Sequence, residues 1–364
     1  MIKQKRTLLY FFTLLISSLV FNSSAFAQTE NEKALSYLSY MSSQIVGRPL
    51  NSSEINLLKG QGPAAFDQII TTWTSDAAFT IRVQKYVENL VRANGETAGT
   101  NYNLPGWLGK ALAANRRPYK ELLTSTTCYS QAGQAIPCDT NAPFTAGVLT
   151  TKAYLSIYKG AYNISRAGKI IREYLCTDYP LSDAEEPRLE ITDMIPQFAT
   201  TAGKITFGNG NNCYMCHSQF GLHAQLFVKF DLNGVYQPGA TGVQAIGATD
   251  GFSANSTLTS HLIDPNRASN EQTRILGQSV SNLAEAARVV TESPRFLPCA
   301  AKNMMRYFLR LSDPNLASVK PEVFTQIVTA AKVKNPEPGF AELIHAILID
   351  PSVYGSFKKS GAMP

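Results

Sequence analysis

Three stretches, FDQIITTWTSDAAF (66–79), LAEAARVVTESPRF (283–296) and FAELIHAILIDPSV (340–353), are written to one plan. Each has apolar residues at its first, fourth, fifth and eighth positions, then an acidic residue, then a closing apolar one. Spacings of three and four put the apolar positions on one face of a helix. Each copy therefore predicts a helix whose end leads directly into a cap. The copies lie too far apart for a solenoid and point instead to helical modules of one design at both ends of the chain. No segment of strand period competes with them, so the class expected is mainly α. His345 takes the sixth position of the third copy, where the others have Thr71 and Arg288. That position is off the apolar stripe, which predicts a solvated histidine.

Working outward, Asn51-x-x-Glu54 after Pro49 has the pattern of a capping box, and Ser75-Asp76 can cap a helix carrying Phe79, Val83, Tyr86, Val87 and Leu90 on one stripe, ended by Asn94-Gly95. Residues 96–145 scatter Gly, Pro, Asn and Thr among few periodic positions and read as mostly loop. Residues 195–270 are richer still in Gly, Asn, Thr and Ser, and a segment so poor in core-forming side chains needs something else to organise it, such as a bound cofactor. The expected layout is a leader over 1–27, a helical module with a stapled loop over 28–190, a loop-rich cofactor segment over 191–270 and a helical module over 271–364.

The leader is read from Lys3, Lys5 and Arg6, the apolar run LLYFFTLLISSLVF and Ala25-Phe26-Ala27 before Gln28. These are the three parts of a secretory signal. The run is shorter than the roughly 20 residues that span a bilayer, and no later segment is long and apolar enough, so no transmembrane segment is expected after cleavage. An uncleaved anchor is the alternative. The formal charge of +6 falls further once the leader's basic residues are gone, too mild to argue for nucleic acid. A 44% apolar content is ample for real cores. Outside the cytosol thiols tend to pair. Of the six cysteines, Cys128 and Cys138 enclose the short loop YSQAGQAIP and are expected to form a disulfide, with Cys176 and Cys299 following by elimination. Buried unpaired thiols are the competing reading for both pairs.

The remaining two cysteines lie in NNCYMCHSQF (211–220), as Cys213-x-x-Cys216-His217. Three chemistries use such a pattern. Two thiols on one helical turn can add across the vinyl groups of a haem while the adjacent His217 reaches the iron as axial ligand, giving one covalent haem c per chain. A thioredoxin-like dithiol would need a strand before it and a βαβ setting. Zinc would need a second Cys or His pair at ligand spacing, for which His223 and His261 are the nearby residues. The haem reading leads, because the pattern and the export signal agree. For the opposite face of the iron the candidates run from Met304 or Met305 to His261 and then His223. Core packing is the plainer role for both methionines, which share a helix with an apolar stripe of Met304, Phe308 and Leu311.

Several segments together resemble the large exported bacterial haem-c proteins best known from planctomycetes, a family of uncharacterised function. RPLNSSEINLL (48–58) followed by the SDAAF helix end is similar to that family's opening module. AGVLTTKAYLSIYKGAYNISRAGKIIREYLCTDYP (146–180) is the closest match, with a Gly-x-Leu-Thr start, an Arg-x-Gly turn and a run ending in Pro. Phe230-Asp231-x-x-Gly234 stands where the family has its own Phe-Asp-x-x-Gly, and SPRFLPCAAKNMMRYFLRL (293–311) is similar to its closing module. One departure is GLHAQ (221–225), where relatives usually have Asp-Pro-Leu-Gly-Phe; it puts His223 near the haem.

The function expected is that of an exported monohaem c-type cytochrome, periplasmic, secreted or on the cell surface, passing electrons to an unidentified redox partner protein. The resemblance supports haem and export better than a reaction. Two alternatives stand beside it. One is a haem enzyme with an open distal site, of peroxidase or oxygenase type, assisted by His223 or an arginine. The other is a surface or assembly protein whose helical modules bind a partner. No paired carboxylates, nucleophile with its base, or phosphate loop nominates a separate catalytic residue.

Overall fold

Short polar side chains start many of the helices. In the computed structural model, which describes residues 30–93, 95–97, 100–158, 163–189, 212–239 and 272–357, the chain enters on a helix over 30–45 (α1). Asn51 and Glu54 then exchange backbone-to-side-chain hydrogen bonds of 2.8 and 2.9 Å, the capping box that opens α2 (Ser52–Gln61). Glu54 is buried because Arg48 and the Trp73 indole, at 2.7 Å, satisfy its other lone pairs. α3 (Phe66–Thr74) passes through Ser75 to Asp76, whose carboxylate accepts the Ala78 N–H at 2.8 Å and starts α4 (Ala77–Val91). α4 ends with Arg92 in the left-handed region at φ 54°, earlier than Asn94-Gly95.

Residues 96–145 hold more structure than expected. After the hairpin β1 (Glu96–Thr97) and β2 (Thr100–Asn101) comes α5 (Leu104–Ala114), a buried helix laid along α4. Two glycines of that stretch are where the two helices touch. A Cβ on Gly106 would fall 2.6 Å from Glu88 Cγ, and one on Gly109 2.5 Å from Val87 Cγ2. Pro105 sits in the first turn, where its missing N–H costs nothing. A short α6 (Glu121–Thr124) precedes β3 (Cys128–Tyr129) and β4 (Ala135–Ile136), a hairpin closed by the Cys128–Cys138 disulfide.

α7 (Lys152–Ile157) is capped by Thr151, and α8 (Ile164–Leu175) follows. Arg166-x-Gly168, expected as a turn, lies inside α8, because Ala167, Ile170, Ile171 and Tyr174 form a buried stripe through it. The Cys176–Cys299 disulfide ties the end of α8 to a later helix. α9 (Asn212–Ala224) carries the Cys-x-x-Cys-His motif and rests on α8 and on the hairpin β5 (Thr273–Ile275) and β6 (Gln278–Val280). The chain closes with α10 (Leu283–Glu292), α11 (Phe296–Phe308), α12 (Asp313–Ser318), α13 (Pro321–Lys334), α14 (Phe340–Ile349) and α15 (Pro351–Ser356).

The protein is mainly α. Its sheets, among the described residues, are two-stranded antiparallel hairpins. All three copies of the opening pattern are helices running into the start of another. The first and third, α3 and α14, pack on each other, and Tyr37 of α1 donates to the Leu348 carbonyl at 3.0 Å. One apolar core thus runs from Ala34 to Phe357 and takes residues from both ends of the chain and from α9.

His345 corrects its sequence reading. It is 3% exposed, because α14 is covered on that side by α3 and α13; its Nε2 faces Lys334 Nζ at 2.9 Å and Asp67 Oδ1 at 3.1 Å. A stripe rule assumes one buried face, and α14 has neighbours on more than one.

Candidate functional site

A fully buried arginine frames the site. Arg166 of α8 donates to the carbonyls of Leu155, Phe230 and Asp231 at 2.7 to 3.1 Å and to the Asn163 side chain. Burial pulls its guanidinium down to about 9. The contact holds α7 and α8 against the Phe230-Asp231-x-x-Gly234 turn. There Asp231 Oδ1 accepts the N–H groups of Asn233 and Val235 at 2.8 and 2.9 Å. Gly234 takes φ 76° with a would-be Cβ 2.9 Å from Leu155 Cβ, so only glycine fits.

Positions 213, 216 and 217 stand at i, i+3 and i+4 in the first turn of α9, on one face, and the same stripe continues to Phe220 and His223. The segment 178–189, arriving from α8, covers its Phe220 and His223 end. Tyr179 sets its ring edge-on to Phe220 with centroids 4.2 Å apart, and its hydroxyl hydrogen-bonds His223 Nδ1. His223 Nε2 lies 3.0 Å from Glu186 Oε2. Glu186 also accepts from Arg274 Nε of β5 at 2.7 Å and from the Gly277 N–H at 3.2 Å. Beside it Gln219 reads the same segment, accepting from Leu181 N–H at 2.8 Å and donating to the carbonyls of Leu181 and Glu186. Thr273 donates to the Leu222 carbonyl at 2.8 Å, so the hairpin closes the other flank.

The imidazole and carboxylate of the His223–Glu186 pair are both 0% exposed. Burial alone would raise the Glu186 carboxyl, but His223, Arg274 and Gly277 outweigh it and hold it below the usual range. An ionised carboxylate only accepts, which puts the imidazole hydrogen on Nε2 and leaves Nδ1 to accept from the Tyr179 hydroxyl. A neutral ring satisfies every partner. Burial, and after it the Glu186 charge, push the Tyr179 phenol well above its ordinary value.

Cys216 is half-buried and takes no part in either disulfide, and Met215 beside it is 39% exposed. The side chains of Cys213 and His217, and all of His261, the leader and 191–211, lie outside the described residues. Met304 and Met305 are enclosed in the core on α11, which packs on α4, α8, α13 and α14. His223 has both ring nitrogens engaged by protein partners and offers no lone pair to a metal. Tyr179, Glu186, Gln219 and Arg274 went unread in the sequence. Glu186 sits in DAEEPRL, where nothing in the local pattern separates it from a solvated acid.

One expectation is overturned. The described residues were expected to present an iron- or metal-binding group, and they contain no group of three or more His, Cys, Asp or Glu that can hold a metal ion. The buried acids and histidines already have protein partners.

Both expected disulfides, Cys128–Cys138 and Cys176–Cys299, are present and fit an oxidising compartment outside the reducing cytosol. No helix among the described residues is long and apolar enough to cross a membrane. Compared with protein-family models, with curated proteins and with solved structures, the chain matches none.

Proposed function

We propose that the chain is an exported electron-transfer protein of the monohaem c-type cytochrome class, with haem attached through thioethers at Cys213 and Cys216 and His217 as its axial ligand. The observation that carries the reading is Cys-x-x-Cys-His in the first turn of α9 in a chain whose other four cysteines form two disulfides. Thioether attachment with a single imidazole needs no cluster of ligating side chains.

The spacing along the helix supports such a group. The spacing i, i+3 and i+4 sets the three positions on one face of α9, a pattern that would let two thiols bond to the vinyl groups and the adjacent histidine ligate the iron. Below them, the clamp of Gln219 and His223 on the segment 178–189 fixes the helix that carries the motif. When bound, haem supplies a one-electron iron couple whose potential the surrounding protein sets. The chain's part is to hold the group, exclude water from one side and offer a surface to a redox partner protein. Periplasm or cell exterior is the finer location that the leader and the disulfides support, and the resemblance to exported haem-c proteins supports the same reading.

Export from a host with haem-c maturation machinery tests it, by absorption spectra of oxidised and reduced protein with and without carbon monoxide. A sharp low-spin reduced spectrum unmoved by carbon monoxide is expected. A high-spin spectrum that shifts with carbon monoxide would move the assignment to an open-site enzyme, and absence of covalent haem would sink both.

A further inference from the structure

We propose that Tyr179 is a redox-active tyrosine, giving up one electron while its phenolic proton crosses to Nδ1 of His223.

Tyrosine oxidation depends on somewhere for the proton to go, since the oxidised phenol is a strong acid. Most described tyrosine hydroxyls have no such acceptor. Tyr37, Tyr154 and Tyr158 donate to the carbonyls of Leu348, Arg166 and Val91, and Tyr86 and Tyr119 meet each other at 3.4 Å. A carbonyl does not take up a proton near neutral pH. Tyr354 has the Glu30 carboxylate, at the protein surface. Among the described residues Tyr179 is the one whose hydroxyl meets an imidazole. Its Nε2–H already points at the ionised Glu186, so an imidazolium formed by the transfer stands against a buried carboxylate. Arg274, part-exposed, links the carboxylate outward to solvent.

Placement gives the electron a destination. The Tyr179 ring lies on Phe220, which is one turn along α9 from Cys216 on the motif's own face. The step balances as Tyr179 O–H and His223 going to a neutral phenoxyl radical and an imidazolium, with one electron leaving for the oxidant. Its co-reactant is of the peroxide class. Hydrogen peroxide takes up two electrons and two protons to leave as two waters, so two passes through Tyr179 consume one peroxide. A hydrogen-atom donor of the phenol or hydroquinone class then restores the tyrosine, and the imidazolium gives up its proton to solvent, two such protons balancing the two that each peroxide takes up. The physiological route rests on the open-site form of the haem reading, since an iron that carbon monoxide cannot reach would not meet peroxide either; the tyrosine chemistry itself does not.

The test uses the full exported chain without haem, oxidised by photogenerated tris(bipyridine)ruthenium(III) and followed by electron paramagnetic resonance. A persistent buried tyrosyl signal is expected in the wild type and its loss in Tyr179→Phe. In His223→Gln, with the fold checked by circular dichroism, the yield of that signal should fall about tenfold or more, as proton transfer loses its base. Should His223→Gln fail to fold, radical formation in heavy water, slowed about twofold or more where the proton moves with the electron, carries the same test. An unchanged signal in Tyr179→Phe overturns the proposal, as does a yield or rate indifferent to both His223→Gln and heavy water. A persistent Tyr179 radical in a chain that never acquires haem upholds the tyrosine and removes the haem reading. Covalent haem without that radical does the reverse.

Discussion

Two histidines are buried to nearly the same degree, His223 at 0% and His345 at 3% exposure, and the protein treats them in opposite ways. His223 has a hydrogen-bond partner on each ring nitrogen, and each partner is itself satisfied, out to Arg274 at the surface. His345 has Lys334 and Asp67 crowded on Nε2 while its buried Nδ1 meets no partner. The difference teaches that burial by itself says little about what a polar side chain contributes. A closed network holds three chain segments in register. An open one leaves a desolvated nitrogen, which costs stability.

Breaking the network at its centre should have the largest effect. Glu186→Ala leaves His223, Arg274 and the Gly277 N–H without their shared acceptor, and a loss of about 3–5 kcal/mol is expected in guanidinium unfolding. A loss below about 1 kcal/mol would mean that water replaces the carboxylate and the network is not a fastening. Removing the ring is the next step down. His223→Leu keeps the volume roughly but strands the Tyr179 hydroxyl and leaves Glu186 Oε2 with the Gly277 N–H alone, for an expected loss of about 2–3 kcal/mol.

Acidity sharpens the contrast. Burial and Lys334 hold the His345 imidazole below its ordinary value, with Asp67 opposing them. The folded protein therefore takes up that proton less readily than the unfolded chain, and the stabilisation is present above the unfolded value of about 6.5 and declines as pH falls below it. Glu186, held low in the fold, contributes in a separate window: its share is lost only as pH drops below about 4.3, the unfolded value, toward its folded one. Unfolding followed between about pH 7 and 5 should show the first decline in the wild type and lose it in His345→Leu. The smallest effect belongs to that same variant at neutral pH. Deleting a ring with an orphaned nitrogen should change stability by within about 1 kcal/mol of zero, in contrast with His223→Leu. Equal losses in the two variants would end the comparison.

By itself the sequence determined what depends on neighbours along the chain. Helix copies at three-four spacing, the Asn51–Glu54 box, the Asp76 cap and the short-loop Cys128–Cys138 pair are all local, and all are found in the structure. Cys176–Cys299 was reachable by counting, because cysteines in an oxidising compartment tend to pair. The motif at 213–217 was legible for the same reason, as a spacing on one helical turn. What the tertiary structure alone decided are the places where distant segments meet. Gly106 and Gly109 lie in a stretch that reads as loop, and become a helix contact only where α4 packs on them. His345 read as exposed until α3 and α13 covered it. Glu186 carries no local mark of burial, and it is α9 and the β5–β6 hairpin that close over it. A periodic pattern records one buried face of one element. Burial from a second side, and the pairing of polar groups it enforces, exist only once the elements have docked.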